Sequence, residues 1–498
     1  MNRVPHRTMF GVLLLAIAIV PVLLNLVVIP GYTGDDAFIH LTYVRNLLER
    51  GTLSYNAPNP TYGSTSILWV VLCAGASLLS GSIPETARFL SGLLFVSSAM
   101  LFARYLMRVL QLDRPAVLCA YLMYLGNAVL FRWMLTGMET GLMMFITMLL
   151  LNYWDPAHPG RSAALTLAAY LTRPEFLLFP VIYVALILMR RWWRSKDALH
   201  YIETTAALFG CWFVFAEIYF GSVFPMSVLK SGSGADAASI TRYVRILIGM
   251  YPDLLLIGVL LVIVGAFSRQ RWAGMPAAEE MFLLFAGGVL LVYLVKGTSM
   301  ISRYMLLVHP AVVIVIVRGL VARRPTFLLK LAPVLVIAVQ GTLFWTVHVS
   351  PIRSFVDGFQ STYATVGRLL ERTSDADTGS VMVSDVGMVG YYSRRSVVDL
   401  VGLTSRHVDE AGSRDDGVLI ERFRPQYAVL KLDTVSLAGY TQRWRTQAKD
   451  LEGIRVVFEG HIGPLGVFSA PGQQFDVYAV ELLYKGGGPD NFEDRPNR

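Results

Sequence analysis

The sequence predicts an all-α polytopic membrane domain followed by a soluble α/β domain. Of its 498 residues, 54% are hydrophobic and only 16% are charged, a balance that excludes an ordinary water-soluble enzyme. Apolar stretches recur at lengths near the ~20 residues that cross a hydrocarbon core. Beyond residue 350 those stretches cease and short strand-like runs replace them.

Taken in order, the chain opens with Arg3 and Arg7 before an apolar run to Ile29. That run is too long for a signal peptide and lacks a small-residue cleavage site, so it reads as a retained first span. Further spans are expected at 84–104, 115–131, 138–154, 162–171, 176–189, 201–220, 244–267, 281–295, 304–320 and 327–347. The segment 66–80 is short for a crossing and is read as an interfacial or re-entrant helix. About 11 transmembrane helices result, and the odd number decides orientation. It places Arg104, Arg108, Arg114, Arg190, Arg191, Arg194, Lys196, Arg269, Arg271, Arg318, Arg323 and Arg324 in the cytoplasm, as the positive-inside rule requires. The net charge of +8 is thereby explained without a nucleic-acid partner.

The transmembrane domain is therefore 1–350, and an extracytoplasmic soluble α/β domain is expected over 351–485. Within it, 353–372 reads as a helix and 381–384, 397–401, 427–430, 455–458 and 477–483 read as strands. The Gly-rich, charged tail 486–498 reads as disordered. Cys73, Cys119 and Cys211 lie in apolar segments without motif spacing, which indicates neither a disulfide framework nor a zinc site.

Chemistry is expected in the first outer loop, 31–69, which places Asp35 and Asp36 at the start of a helix. From 37 to 48, Ala37, Leu41, Val44 and Leu48 share one side, whereas Thr42, Arg45, Asn46 and Glu49 share the other. That pattern predicts an interfacial helix lying flat on the membrane surface, ended by Gly51. Other charges gather at the same outer boundary. Arg132 and Glu139 flank or occupy the turn GMETG, Arg173 and Glu175 interrupt two apolar segments in LTRPEF, Lys230 follows an apolar patch in FPMSVLK, and Arg303 opens a span in ISRYMLL.

Each has a plainer reading. Asp35 suits a helix N-cap and Asp36 a first-turn acid, Glu139 a solvated helix start, Arg173 and Glu175 an internal ion pair, and Lys230 a snorkelling side chain. Asp385 and Asp399 suit strand ends or turns. Together, however, the charges supply what sugar transfer from a polyprenyl phosphate needs. A carboxylate takes the acceptor's proton while cations receive the departing phosphate. No general acid is required, because the phosphate leaves as a stable anion.

The segments DDAFIHLTYVRNLL, GSTSILW, GMETGL, LTRPE, YFGSVFPMSVLKSG, SRYMLL and VVDLVGLTS resemble, in this order, the GT-C superfamily of integral-membrane glycosyltransferases. The chain is most similar to the family of the mycobacterial terminal arabinofuranosyltransferase and related bacterial proteins. The resemblance implies a polyprenyl-phosphate-linked sugar donor, a cell-envelope glycan or lipid acceptor, and an inverting transfer on the outer face of the plasma membrane, with arabinofuranose a candidate sugar. It implies Asp35 as the base with Asp36 beside it, and phosphate roles for Arg173, Lys230 and Arg303. Glu139, Glu175 and Tyr62 are expected to contact substrate. The Asp-X-Asp metal constellation of oligosaccharyltransferases does not appear, so neither metal nor cofactor is expected. Two alternatives stand beside this reading. One is a protein O-mannosyltransferase-like enzyme of the same fold; the other is a transporter or flippase of lipid-linked glycans, for which midplane charges or inverted repeats would be expected.

Overall fold

The computed structural model describes residues 4–190, 195–230, 236–263, 275–297, 302–323, 326–373, 379–433, 435–463 and 474–485. The expected cytoplasmic Arg191, Arg194, Arg269, Arg271 and Arg324, and the tail 486–498, lie outside the described residues. The first half of the bundle comprises α1 (Val4–Val28), α2 (Asp35–Arg50), α3 (Ile67–Ser80), α4 (Ile83–Arg108), α5 (Arg114–Leu125), α6 (Ala128–Trp133), α7 (Thr140–Tyr153) and α8 (Pro159–Thr172). A 3-10 turn, Pro174–Leu177, leads into α9 (Leu178–Arg190), and then come α10 (Lys196–Phe220), α11 (Met226–Lys230), α12 (Ala237–Met250) and α13 (Pro252–Ile263). The second half adds α14 (Ala277–Lys296), α15 (Ser302–Met305), α16 (His309–Arg323) and α17 (Thr326–Leu343).

Five helices among the described residues are long and apolar enough to cross a bilayer, or six if the bent pair Ile240–Met250 and Pro252–Val262 forms one span. Several of the eleven expected spans are instead shorter apolar helices, among them Arg114–Leu125, Thr140–Tyr153 and His309–Val321. Two expected spans are broken. The span read over 115–131 divides at Asn127, whose Oδ1 accepts from the N–H groups of Val129 and Leu130, 3.0 Å each, and so starts a new helix. The span read over 244–267 bends by 83° between α12 and α13. Both breaks are satisfied by one distant side chain: Gln340 accepts from Ala128 N at 3.0 Å and donates to Met250 O at 3.1 Å and to Asp253 Oδ1 at 2.6 Å. Broken helices persist in a bilayer only where their freed backbone groups find such partners.

The C-terminal region is not separated from the bundle by a loop. The last apolar segment and the helix expected over 353–372 form one 43-residue helix, Leu329–Glu371, about 65 Å long at 1.5 Å per residue. It includes π-helical stretches at Phe344–His348 and Phe355–Gln360, with α18 (Val349–Ser354) between them and α19 (Ser361–Glu371) at its end. The strands follow: β1 (Ser380–Val383), β2 (Ser396–Asp399), β3 (Tyr427–Leu432), β4 (Leu451–Ile462) and β5 (Phe475–Tyr484), in the order β2-β1-β3-β5-β4. β1 runs parallel to β2 and β3, while β5 is antiparallel to β3 and β4.

Alternation along these strands divides the sheet into two faces. Met382, Val398, Ala428 and Val480 face a local core with Leu419 and Trp444. Val381, Val383, Val397, Val429 and Val477 face the other way and join the core of the helical bundle. Between β1 and β2, the helix α20 (Val386–Ser393) is carried on that second face and packs on α2. This corrects the expected interfacial helix. The side of α2 read as polar is covered rather than exposed: Thr42, Arg45 and Asn46 are buried. Arg45 donates to Tyr391 O, and Asn46 Nδ2 donates to Ser54 O at 2.9 Å and to Tyr55 O at 2.8 Å.

Candidate functional site

At the end of the bundle that carries the sheet domain, charges from five separate parts of the chain come together. α2 begins at Asp35 after Gly34, which adopts extended backbone, so both carboxylates stand in its first turn, where the helix dipole favours them. They point to different partners. Asp36 Oδ2 accepts from Arg303 Nη2 at 2.5 Å, in a pair whose arginine is 8% exposed and whose aspartate is 45% exposed. Asp35 instead meets the N-terminus of α20: its Oδ2 accepts from Gly387 N at 3.0 Å and its Oδ1 from Met388 N at 2.8 Å.

The environment of Asp35 works against its charge. Burial, then the neighbouring Asp385 and Asp36, push its carboxyl up from 3.8 to about 7, against the opposing pull of the Met388 and Gly387 N–H groups. A carboxylate so placed is half-buried, held in orientation, and has a proton affinity suited to accepting a proton near neutrality. Gly387 is what permits the approach. A Cβ there would lie 2.7 Å from the carbonyl carbon of Asp35 and 2.8 Å from its Cγ, closer than atoms can sit. Gly387→Ala is therefore expected to part α20 from α2, at an overpacking cost of ~1–3 kcal/mol. The measurement is the melting temperature in detergent; an unchanged value would count against this contact.

The second group of charges is built around Arg173, which ends α8 in extended backbone before Pro174. Its Nη1 donates to Glu139 Oε1 at 2.8 Å, while Nη2 and Nε grip Glu175 at 2.5 and 3.2 Å. Tyr293 OH also donates to Glu175. Glu139 sits at the N-cap position of α7, and its other oxygen is 3.5 Å from His40 Nε2. His40 Nδ1 in turn lies 2.8 Å from Ser64 Oγ. The ring of Tyr304 links the two groups, with the guanidinium of Arg173 at 4.7 Å and that of Arg303 at 5.2 Å.

The predicted residues divide accordingly. Asp35, Asp36, Glu139, Arg173, Glu175 and Arg303 come together. Arg173, however, is already held by two carboxylates, which makes it a spacer between them more than a free phosphate ligand. Arg303 is less committed: apart from Asp36 it rests on Trp133, at 5.5 Å, and on Tyr304, and its buried Nε has no acceptor. Tyr62 lies among aromatic rather than charged neighbours, stacked on Phe220 at 4.7 Å with Trp212 at 6.3 Å. Lys230 closes α11, and its side chain lies outside the described residues. Asp399 is a turn residue as expected, accepting from the N–H groups of Val401, Leu403 and Thr404. Asp385 is not only a strand end, because its Oδ2 accepts from Lys431 Nζ at 2.7 Å and from Tyr363 OH at 3.2 Å.

His40 escapes the sequence reading, and Arg132, noted there only as an outer-boundary charge, is given no role. His40 lies one helical turn beyond Asp36, at i+4 on the same face, a signal that was available. Arg132 is buried, donates to Tyr32 OH at 3.1 and 3.3 Å, and lies 4.9 Å from the ring of Trp133. Two guanidiniums thus flank one indole. Among the described residues no carboxylate pairs with Arg132, and no group of three or more His, Cys, Asp or Glu is arranged to hold a metal.

Comparison with known proteins agrees with this architecture. A search of curated proteins by sequence finds no match. A family model described as a domain of unknown function (DUF8728) matches residues 353–477, the end of the long helix and most of the sheet domain. Among solved structures, ArnT from Cupriavidus metallidurans bound to undecaprenyl phosphate is similar at a TM-score of 0.62 and 14% identity, covering 95% of this chain and 98% of that one. Its apo state gives 0.60 and 15% identity over the same shares. The arabinofuranosyltransferase AftD from mycobacteria gives 0.51 and 13% identity, with 96% of this chain matching 40% of that one. The chain shares the fold of ArnT and of the matching part of AftD.

Proposed function

We propose that this protein is a glycosyltransferase that moves one monosaccharide from a polyprenyl-phosphate donor to a cell-envelope glycan or lipid, on the outer face of the plasma membrane. The observation that carries the reading is the meeting of a protein-held carboxylate, Asp35, with a guanidinium site at Asp36, Arg303 and Arg132, within a fold shared with a protein bound to undecaprenyl phosphate.

In this reading Asp35 takes the proton of the acceptor hydroxyl as its oxygen attacks the anomeric carbon. Each Asp35 oxygen engaged by α20 keeps a second lone pair for that proton. The bond from the anomeric carbon to the phosphate oxygen breaks, and the phosphate dianion leaves toward Arg303, with Arg132 adding a second positive charge. Asp36 orients Arg303 through their ion pair. Attack from the side opposite the phosphate inverts the anomeric configuration, and a single base without a nucleophile suits that outcome. In this reading Glu139 and Glu175, spread around Arg173, contact the sugar hydroxyls.

The orientation in this reading rests on charge: Arg104 and Arg108 near the end of α4, Arg114 at the start of α5 and Arg318 on α16 are taken as cytoplasmic by the positive-inside rule, with the site and the sheet domain on the other side. Arabinofuranose remains a candidate sugar through the likeness to AftD. A direct test of the donor site is thermal stabilisation by undecaprenyl phosphate. A raised melting temperature that grows with ligand concentration is expected; the same melting temperature at every concentration would contradict the donor assignment.

A further inference from the structure

The sheet domain reaches the heart of the site through a charge pair that the proposed reaction does not use directly. Asp385 lies at the corner between β1 and α20, two residues before Gly387, whose N–H holds Asp35. Its Oδ2 accepts from Lys431 Nζ on β3 at 2.7 Å and from Tyr363 OH on α19 at 3.2 Å. The corner is fixed from the membrane side as well, because Tyr55 OH donates to Val386 O at 2.7 Å. A negative charge is thereby kept beside Asp35, and a lysine is kept beside that charge. The Asp385 side chain makes no cap bond to α20, so its charge is directed at Lys431 and Tyr363 instead.

Resting on the glycosyltransferase reading, we propose that Asp385 and Lys431 are positioning residues: from the sheet domain they hold the β1–α20 corner against Asp35 and set the charge beside it. The groups facing Asp35 are few. Asp36 is on its own helix and is paired with Arg303, Tyr55 comes from the following loop, Tyr363 from α19, and Asp385 from the β1–α20 corner with Lys431 behind it. Of these, only Asp385 and Lys431 carry opposite charges in direct contact and within the sheet domain. Removing one should therefore move Asp35 one way, and removing the other should move it the opposite way.

The sign follows from Coulomb's law. Without its carboxylate, Asp385→Asn leaves an unmatched lysine near Asp35 and favours the ionised base. Lys431→Met leaves an unmatched carboxylate and favours the protonated one. The full chain in detergent is labelled with dicyclohexylcarbodiimide, which adds to protonated carboxyls, and modification of Asp35 is followed across pH by peptide mass spectrometry. In the unaltered protein, labelling of Asp35 should fall as pH rises through about 7. In Asp385→Asn the midpoint should move about one pH unit lower, and in Lys431→Met about one unit higher. The double variant should return toward the starting value.

Coincident midpoints, shifts in the same direction, or an Asp35 that is never labelled would each overturn the proposal. The pair is partly exposed, 27% and 29%, and matching melting temperatures serve as the control for folding. Labelling requires no turnover. Opposite shifts in a protein that transfers no sugar would therefore sink the glycosyltransferase reading and leave this one standing.

Discussion

Asp35→Asn is expected to reduce sugar transfer by ~100- to 10,000-fold, the range associated with loss of a positioned general base, while donor binding is kept. The substitution is nearly isosteric, and the amide oxygen can still accept one of the two bonds from Gly387 and Met388. The other N–H then faces an amide NH₂, so some loss of stability should accompany it. A loss of kcat with little change in donor KM is the expected pattern. Normal turnover would remove Asp35 from the chemistry. Asp36→Asn should behave differently, because that carboxylate orients Arg303; its effect should fall on donor capture. Above its pKa Asp35 is ionised and can accept a proton, so transfer should rise with pH through about 7 and level off beyond it.

Arg303→Ala is expected to raise the donor concentration needed for half-maximal rate by roughly 10- to 100-fold, since charge-assisted hydrogen bonds contribute about 1.5–3 kcal/mol. Two effects combine in that variant. The departing phosphate loses its nearest cation, and Asp36 loses its partner and repels the phosphate. Arg303→Lys separates them: it restores charge near Asp36 but not the planar fork that can bind Asp36 and phosphate together. Partial recovery is therefore expected. An unchanged donor dependence in Arg303→Ala would place the phosphate elsewhere, and Arg132 would be the next residue to test.

How far the sequence discloses these features depends on how local each signal is. Asp35 and Asp36 at a helix start, Glu139 before an apolar helix, and Arg173 with Glu175 at a Pro-interrupted break are patterns of adjacent residues, so they are legible. So are the five strands, whose alternation is local and which begin within a few residues of the expected positions. Breaks at Asn127 and between α12 and α13 are not, because the group that satisfies both, Gln340, comes from a helix more than 80 residues away. The covered side of α2 is missed for a related reason. Arg45 looks solvent-facing until Tyr391 of α20, some 350 residues later in the chain, is placed against it, and Asn46 until the following loop folds back with Ser54 and Tyr55. Gly387 and Gly390 did carry a hint. Three residues apart on one helix, they form a face that another backbone can approach closely, and Gly390 leaves room for the Tyr55 hydroxyl much as Gly387 does for Asp35.

The most direct measurement is a transfer assay with the purified protein in lipid vesicles, a panel of radiolabelled polyprenyl-phosphate sugars, and a cell-envelope glycan or lipid extract as acceptor. Transfer from one of these donors is expected, with inversion at the anomeric carbon and near-complete loss in Asp35→Asn. Absence of transfer from the whole panel by a folded protein that binds undecaprenyl phosphate, or equal transfer by Asp35→Asn, would contradict the account.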